Sequence, residues 1–349
     1  MSKLGEIVRC DLGSGLQSQT YNLCRMLKPD KLLLINSHPF NGHIQVPEMY
    51  EDFDVMISEG FPTTPTVLKF LKTVTHIITA ETFYSHLMVS QANLRGIKTF
   101  QQFNYEFCEH LQNEHLPKPY KWLAPSYWHL EDMQAKFKNV EYLPPPIFMN
   151  DFKNAREKNW NRVGRRKFVH IMGKVASFDR NGTYDLLAAM QFSTADFELV
   201  IRSQYPVPEY INYIDDPRIT WDIRNIENPE DLYSDVDAMI LPRRYGGLCL
   251  PMNEALCSGI PVIMSDVSPN NRVLPSVWLV DATKTDQFMA RTQIDVHSIN
   301  FQMLGEKLDW LATISDKEMA AIKAEAFELG HDNYSSDVLK PHYIKALEL

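Results

Sequence analysis

The chain has 349 residues, 44% hydrophobic and 23% charged, the composition of an ordinary soluble globular protein long enough for two domains of about 150 residues each. Its formal net charge of −9 argues against a general nucleic-acid coat protein, and no run of about 18 apolar residues offers a membrane span. The five cysteines are odd in number and lack metal-type spacing, which fits reduced thiols in a cytoplasm, and Met1–Glu6 lacks the apolar core of a secretory signal.

Residues 6–12 read as a first strand, ending in the loop Gly13-Ser14-Gly15-Leu16-Gln17-Ser18-Gln19. A helix with Leu23, Met26 and Leu27 on one face follows, so the loop is a ligand-facing turn without the full spacing of a dinucleotide fingerprint. Apolar segments recur at 31–35, 54–57, 76–79, 98–103 and 120–125, with helical stretches such as 64–73 and 127–137 between them. Residues 1–148 are therefore expected to form a doubly wound parallel sheet of about six strands. Leu143-Pro144-Pro145-Pro146-Ile147 cannot continue a helix or central strand, and the polar segment 149–166, basic at 153–158 and 162–167, reads as a solvated linker.

The plan repeats over 167–330. Strands are expected at 167–172, 197–201, 219–221 and 276–280, with helices at 183–190, 230–235, 304–314 and 316–329. A terminal helix lies within 331–349. The centre of this half is the unit from Ala238 to Ser265: an apolar strand ending at Leu241, a Gly246-Gly247 loop, a short helix with Pro251 near its start, and a buried strand from Pro261. Glycines admit close approach of a ligand to the backbone, and a helix start offers free N–H groups to phosphate. Glu254, placed on the first helical turn, suits ligand hydroxyls, against the plainer reading of an acid complementing the helix dipole.

The run Leu241-Pro242, Tyr245-Gly246-Gly247-Leu248-Cys249-Leu250-Pro251-Met252-Asn253-Glu254-Ala255, Gly259-Ile260-Pro261-Val262 resembles the signature of the retaining GT-B glycosyltransferases of the glycosyltransferase group 1 family (family four). Gly173-Lys174 and Arg180-Asn181-Gly182 are similar to that family's cationic diphosphate loop. Ala124-Pro125-Ser126-Tyr127-Trp128 and Leu143-Pro144-Pro145-Pro146-Ile147 resemble the end of its acceptor domain, and Gly13–Gln19 its first glycine loop. The resemblance implies two Rossmann-like domains facing a cleft: an acceptor-binding domain (1–148), a linker (149–166), a nucleotide-sugar donor domain (167–330) and a helix (331–349) returning to the first domain. Closure of that cleft would exclude water from the donor.

The resemblance further implies that Lys174 and Arg180 stabilise the leaving diphosphate and that Glu254 holds the ribose. Gly13, Gly15, Gly246, Gly247, Leu248 and Cys249 would line the donor. Two departures stand out: Gly246 occupies the place of the first of two glutamates, which helps orient the donor sugar, and Asn181 stands at the family's lysine. Asp11, Glu81 and Tyr105 are the candidate acceptor contacts, with His76 and His86 also near predicted strand ends. Asp215-Asp216 precedes Pro217 and reads as a turn, so no metal and no cofactor beyond the nucleotide sugar is expected. The expectation is a cytoplasmic hexosyl- or related transferase moving sugar from a nucleotide diphosphate sugar to an acceptor hydroxyl, with retention. The acceptor is left open among a glycan, a small molecule and the hydroxymethylated bases of viral DNA, whose phosphates the 153–167 segment would contact; a viral enzyme would work in its host's cytoplasm. A non-catalytic sugar-nucleotide-binding subunit and a nucleotide-sugar epimerase are the alternatives.

Overall fold

Alternation of short aliphatic strands with helices builds parallel sheets, because a parallel connection needs a crossover long enough to hold a helix. The computed structural model describes residues 2–10, 15–36, 46–173, 178–207, 215–226 and 228–349. Two units divide the chain: Met1–Pro146 with Ala290–Thr292 and Ser336–Leu349, and Ile147–Met289 with Gln293–Ser335.

The first unit contains β1 (Leu4–Cys10), α1 (Gly15–Leu27), β2 (Lys31–Asn36), β3 (Val55–Glu59), α2 (Thr64–Leu71), β4 (His76–Ala80), α3 (His86–Leu94), β5 (Lys98–Gln102), β6 (Lys121–Ala124), α4 (Leu130–Lys136) and β7 (Val140–Tyr142). Its strands form one parallel sheet in the order β3-β2-β1-β4-β5-β6-β7. The sequence suggests six strands; β7 adds a seventh, three half-buried residues too short to show a period.

In the second unit, α5 (Lys153–Trp160), β8 (Lys167–Ile171), α6 (Thr183–Ala189), β9 (Glu198–Ser203), β10 (Ile219–Ile223), β11 (Ala238–Leu241), α7 (Leu250–Cys257), β12 (Val262–Ser265) and β13 (Leu279–Val280) follow. They are succeeded by β14 (Ala282–Met289), β15 (Gln293–Ile299), α8 (Phe301–Thr313) and α9 (Asp316–Tyr334). The parallel sheet runs β10-β9-β8-β11-β12-β13, the same winding as in the first unit. Both sheets therefore reverse strand order beside their first strand, at β1/β4 and β8/β11, where open α/β sheets bind ligands.

Three expectations change. The basic stretch read as linker is largely helical: α5 runs through it, with Ala155 and Asn159 fully buried in the second unit. The helix expected at 230–235 is a 3-10 turn, Pro229–Tyr233, and the strand expected at 276–280 shrinks to Leu279–Val280 after another such turn. The antiparallel hairpin β14–β15 has no signal in the sequence pattern, since most of β14 is exposed and polar and the buried residues, Ile294, Val296 and Ile299, all lie on β15. α10 (Ser336–Leu347) packs within the first unit, where buried Tyr343 accepts from Gln102 Nε2 (2.6 Å) and donates to Pro144 O (2.9 Å).

The second unit is tied by one buried carboxylate. Asp237, fully buried just before β11, accepts from Lys323 Nζ of α9 (2.7 Å), from Arg162 Nη1 (3.0 Å) and from the Lys167 N–H at the start of β8 (3.0 Å). Lys323 also donates to Asn159 O (2.7 Å), and the Asn159 side chain bonds Tyr233 O (2.8 Å) and the Val236 N–H (2.9 Å). Burial draws the Lys323 ammonium down while Asp237 holds it up, as expected for a cation dependent on its partner. Lys323→Met should leave Asp237 without one of its two cations in a dry site and cost about 3–5 kcal/mol of unfolding free energy. Urea unfolding measures this, and a loss below about 1 kcal/mol would remove the cluster from its central role.

Candidate functional site

The donor-type loop follows β11 at the switch point of the second sheet. Its frame is Arg243, 4% exposed, whose Nε donates to Tyr245 O (3.0 Å) and whose Nη2 donates to Leu248 O (2.9 Å). Ser265 Oγ, at the end of β12, donates to the Arg243 carbonyl, and buried Asn270 donates to Ser265 O (3.2 Å). These bonds account for the Ser265–Asn270 stretch as support beneath the loop. Gly246 sits at φ 109°, and a Cβ there would lie 2.7 Å from Arg243 Nη2. A side chain at 246 would therefore be strained by the backbone conformation and would require the Arg243 guanidinium to shift from its place in the loop. The N–H groups of Gly246, Gly247 and Leu248 have no acceptor among the described residues. Leu248 is half-buried, whereas the side chain of Cys249 is packed into the core and contributes no ligand-facing thiol.

Glu254 lies on the second turn of α7, not the first, which carries no acid, so complementing the helix dipole does not explain it. The half-buried carboxylate accepts from Tyr233 Oη at 2.5 Å. Tyr233 is fully buried, its carbonyl held by Asn159, so α5 and the Pro229–Tyr233 turn position the carboxylate. Nothing in the sequence pattern links Tyr233 to Glu254. Burial pushes the Glu254 carboxyl up to about 7, with the tyrosine hydrogen bond working the other way. The same burial, with the neighbouring carboxylate, drives the Tyr233 phenol upward, so it remains a donor.

The second loop of this end follows β8. Asn181 is structural: its amide donates to Ile171 O (2.9 Å) and Met172 O (3.2 Å). Gly182, at φ 74°, caps α6, where a Cβ would stand 2.0 Å from Pro242 O. Arg180 places its guanidinium over the Tyr245 ring at 5.0 Å, and its carbonyl accepts the Arg244 N–H (2.9 Å). Arg180 is thereby joined, through Arg244 and Tyr245, to the loop that carries Gly246, Gly247 and Leu248. Lys174 lies outside the described residues.

In the first unit, a cavity of about 350 Å³ opens at the carboxyl ends of β1, β4 and β5, lined by Arg9, Glu81, His86, Gln101, His110 and Arg291 among others. Glu81 is held at φ 67° by Gln101 Nε2 on its carbonyl (2.7 Å) and by its own N–H on Gln102 O (2.7 Å). A non-glycine residue in that conformation is strained, and strain of this kind gathers at functional sites. His86 Nε2 lies 3.2 Å from Glu109 Oε2, and burial lowers the pKa of His110, whose Nε2 faces Pro117 O (3.1 Å). Of the other acceptor candidates, Tyr105 does not line the cavity: its ring stacks on His129 at 3.9 Å. His76 begins β4 and so stands at the opposite end of the sheet, its Nδ1 2.9 Å from Thr75 Oγ1. Gly15 opens α1 in this first unit, away from the second unit's loops in the chain, and Asp11 and Gly13 lie outside the described residues. Asp216 is a turn residue that binds Arg218 Nη2 (2.7 Å).

Glu254 makes a testable link to pH. Its folded carboxyl titrates near 7 against 4.5 for an unperturbed glutamate, so between these values the folded chain holds a proton that the unfolded chain has lost. Stability from this group therefore falls as pH rises through that window and levels above it. The stability difference between wild type and Glu254→Gln should shift by roughly 1–3 kcal/mol between pH 5 and pH 8, in favour of the variant at the higher pH. Urea unfolding at both pH values reads it, and a pH-independent difference would contradict the assigned environment.

Residues 166–293 match the family described as Glycosyl transferases group 1. No curated protein sequence matches the chain. Among solved structures, a glycosyltransferase from Rickettsia africae is similar at 14% identity and a TM-score of 0.70, over 99% of this chain and 98% of that one. HepE of Anabaena, solved in complex with UDP-glucose, is similar at 11% identity and a TM-score of 0.68 over 100% of both chains. The sucrose-phosphate synthase of Thermosynechococcus elongatus gives 12% identity and a TM-score of 0.65, covering 99% and 98%. With two parallel-sheet units of like winding and a glycosyltransferase group 1 segment across the second, the fold is GT-B and the chain is a glycosyltransferase.

Proposed function

We propose that the chain transfers a hexose or related sugar from a nucleotide diphosphate sugar to an acceptor hydroxyl, with the donor on the second unit and the acceptor in the first unit's cavity. The observation that carries this is the Glu254 carboxylate, fixed by a buried tyrosine one helical turn beyond a loop of unengaged N–H groups. A carboxylate so placed accepts from ribose hydroxyls, while the loop and the cations Lys174 and Arg180 receive the diphosphate. The acceptor oxygen bonds to the anomeric carbon as the carbon–oxygen bond to the diphosphate breaks; its electron pair leaves with the diphosphate, which takes the acceptor proton. That course retains configuration, and we assign it to arginine, lysine and N–H stabilisation with no metal. Soluble placement in a cytoplasm belongs to the same proposal; no helix of the described residues is long and apolar enough to cross a membrane.

For the acceptor we favour a glycan or small polyol over hydroxymethylated DNA. The DNA reading rests on the basic stretch 153–167, and four of its seven cations pair with acids of the second unit outside the stretch: Arg162 with Asp237, Arg165 with Asp196, Arg166 with Asp316 and Lys167 with Asp235. Glu81, strained at the cavity, is the residue we assign to an acceptor hydroxyl, with Gln101 beneath it.

A melting-temperature and hydrolysis screen of nucleotide sugars tests the donor half. One base series should stabilise the wild type, Glu254→Ala should lose at least about tenfold in nucleotide affinity, and failure of every nucleotide sugar and nucleoside diphosphate to stabilise the chain would refute the proposal. Binding without turnover under any acceptor would support a sugar-nucleotide-binding subunit instead, and a changed sugar without acceptor an epimerase. Glu81→Gln should lower transfer at unchanged donor affinity; equal loss of both would remove Glu81 from the acceptor side.

A further inference from the structure

We infer that Arg243 is an oxyanion receptor, its guanidinium taking a phosphate or carboxylate oxygen of the ligand seated on the Gly246–Leu248 loop. The inference rests on the donor reading of that loop and adds to it a residue and a ligand chemistry. Arg243 is 4% exposed, and its hydrogen bonds go to two neutral acceptors, Tyr245 O and Leu248 O. No carboxylate among the described residues pairs with it. A buried cation is normally paired, because carbonyl dipoles alone replace only part of its lost hydration.

Its surroundings do not supply the missing charge. Arg244 and Arg180 flank it in the same loop pair, adding two cations. Of the acids nearby, Asp185 accepts from Ser298 Oγ (2.8 Å) and the Ile299 N–H (3.3 Å) and lies 4.0 Å from Arg244 Nε. Asp179 takes the Tyr184 N–H on Oδ2 (2.7 Å), leaving Oδ1 without a partner. Both acids thus stand on the α6 side, engaged with other groups.

Gly246 packs against the guanidinium: a Cβ at this position would meet Nη2 at 2.7 Å, so the bare Cα is what lets the loop backbone, with its N–H groups, close up to Arg243. The Nη1 atom has no hydrogen-bond partner among the described residues and is not sealed from solvent. A planar fork beside three unengaged N–H groups is suited to an oxyanion with two acceptor oxygens, and unsuited to a neutral hydroxyl, which would leave the buried charge unanswered.

The test compares full-length wild type, Arg243→Met and Arg243→Lys by calorimetry with uridine, UDP, UDP-glucose and UDP-glucuronate, or the same four ligands of whichever base binds. Melting with inorganic pyrophosphate accompanies it. Arg243→Met should weaken an anionic ligand at least about tenfold while uridine changes less than about threefold. Loss shared by UDP, UDP-glucose and pyrophosphate assigns the phosphate; loss confined to UDP-glucuronate assigns a sugar carboxylate. Unchanged affinity for every anion, or equal loss for uridine and the anions, overturns the inference while the donor reading stands. Should Arg243→Met not fold, the same criteria apply to Arg243→Lys, which keeps the charge and loses the fork. If uridine and its analogues fail on the wild type, yet pyrophosphate raises its melting temperature and not the variant's, the donor reading fails and the oxyanion site remains.

Discussion

The second unit depends on the Asp237 carboxylate more than on any other single group. It lies in the dry floor of the sheet, where an unpaired charge is not tolerated, so α9, the Arg162 turn and the edge of β8 must all be in place around it. Asn159 extends the cluster to Tyr233, and Tyr233 fixes Glu254. A polar network at the amino end of the strands thus reaches, through one 3-10 turn, a carboxylate on the helix that follows the sheet's carboxyl end. Networks of this kind lose more when half-satisfied than when absent, which keeps the members together.

The loop after β11 solves a different problem. Two adjoining glycines would leave a long polar backbone underdetermined, since glycine loses the most freedom on ordering. Arg243 supplies the order by holding the carbonyls of Tyr245 and Leu248 from within. The loop is therefore built around a cation, and a side chain at 246 is sacrificed to it.

Much of this was legible in the sequence, and the limits were physical. Aliphatic strands such as Lys31–Asn36 and Val262–Ser265 are buried on both faces and announce themselves as continuous apolar runs. The Tyr245–Glu254 run carried both the resemblance and the ligand-side residues because loop and helix are contiguous there. The hairpin β14–β15 was opaque, as Ala282–Met289 is mostly solvated and its pairing replaces any apolar period. α5 was opaque for another reason: its charges mask a buried face of only Ala155 and Asn159. Tyr233 acts on Glu254 across the fold, through a contact that spacing along the chain does not encode, while Arg243 acts within its own loop on backbone carbonyls that carry no residue signature. Tyr105 shows the converse: an aromatic residue at a strand end whose ring packs on His129 and does not line the cavity.

The place of α10 bears on how the chain comes to be folded. Domains ordinarily close in the order in which they are synthesised. Here the first unit is completed by residues 336–349: Tyr343, Ala346 and Leu347 are buried in it, Lys121 Nζ reaches the Ala346 carbonyl (2.8 Å), and Lys98 pairs with Glu348. All the residues of the second unit precede that segment. The first unit's last buried segment is thus made only after the whole of the second unit has been translated, so the burial of β5 and β6 beneath α10 is necessarily a late event of synthesis.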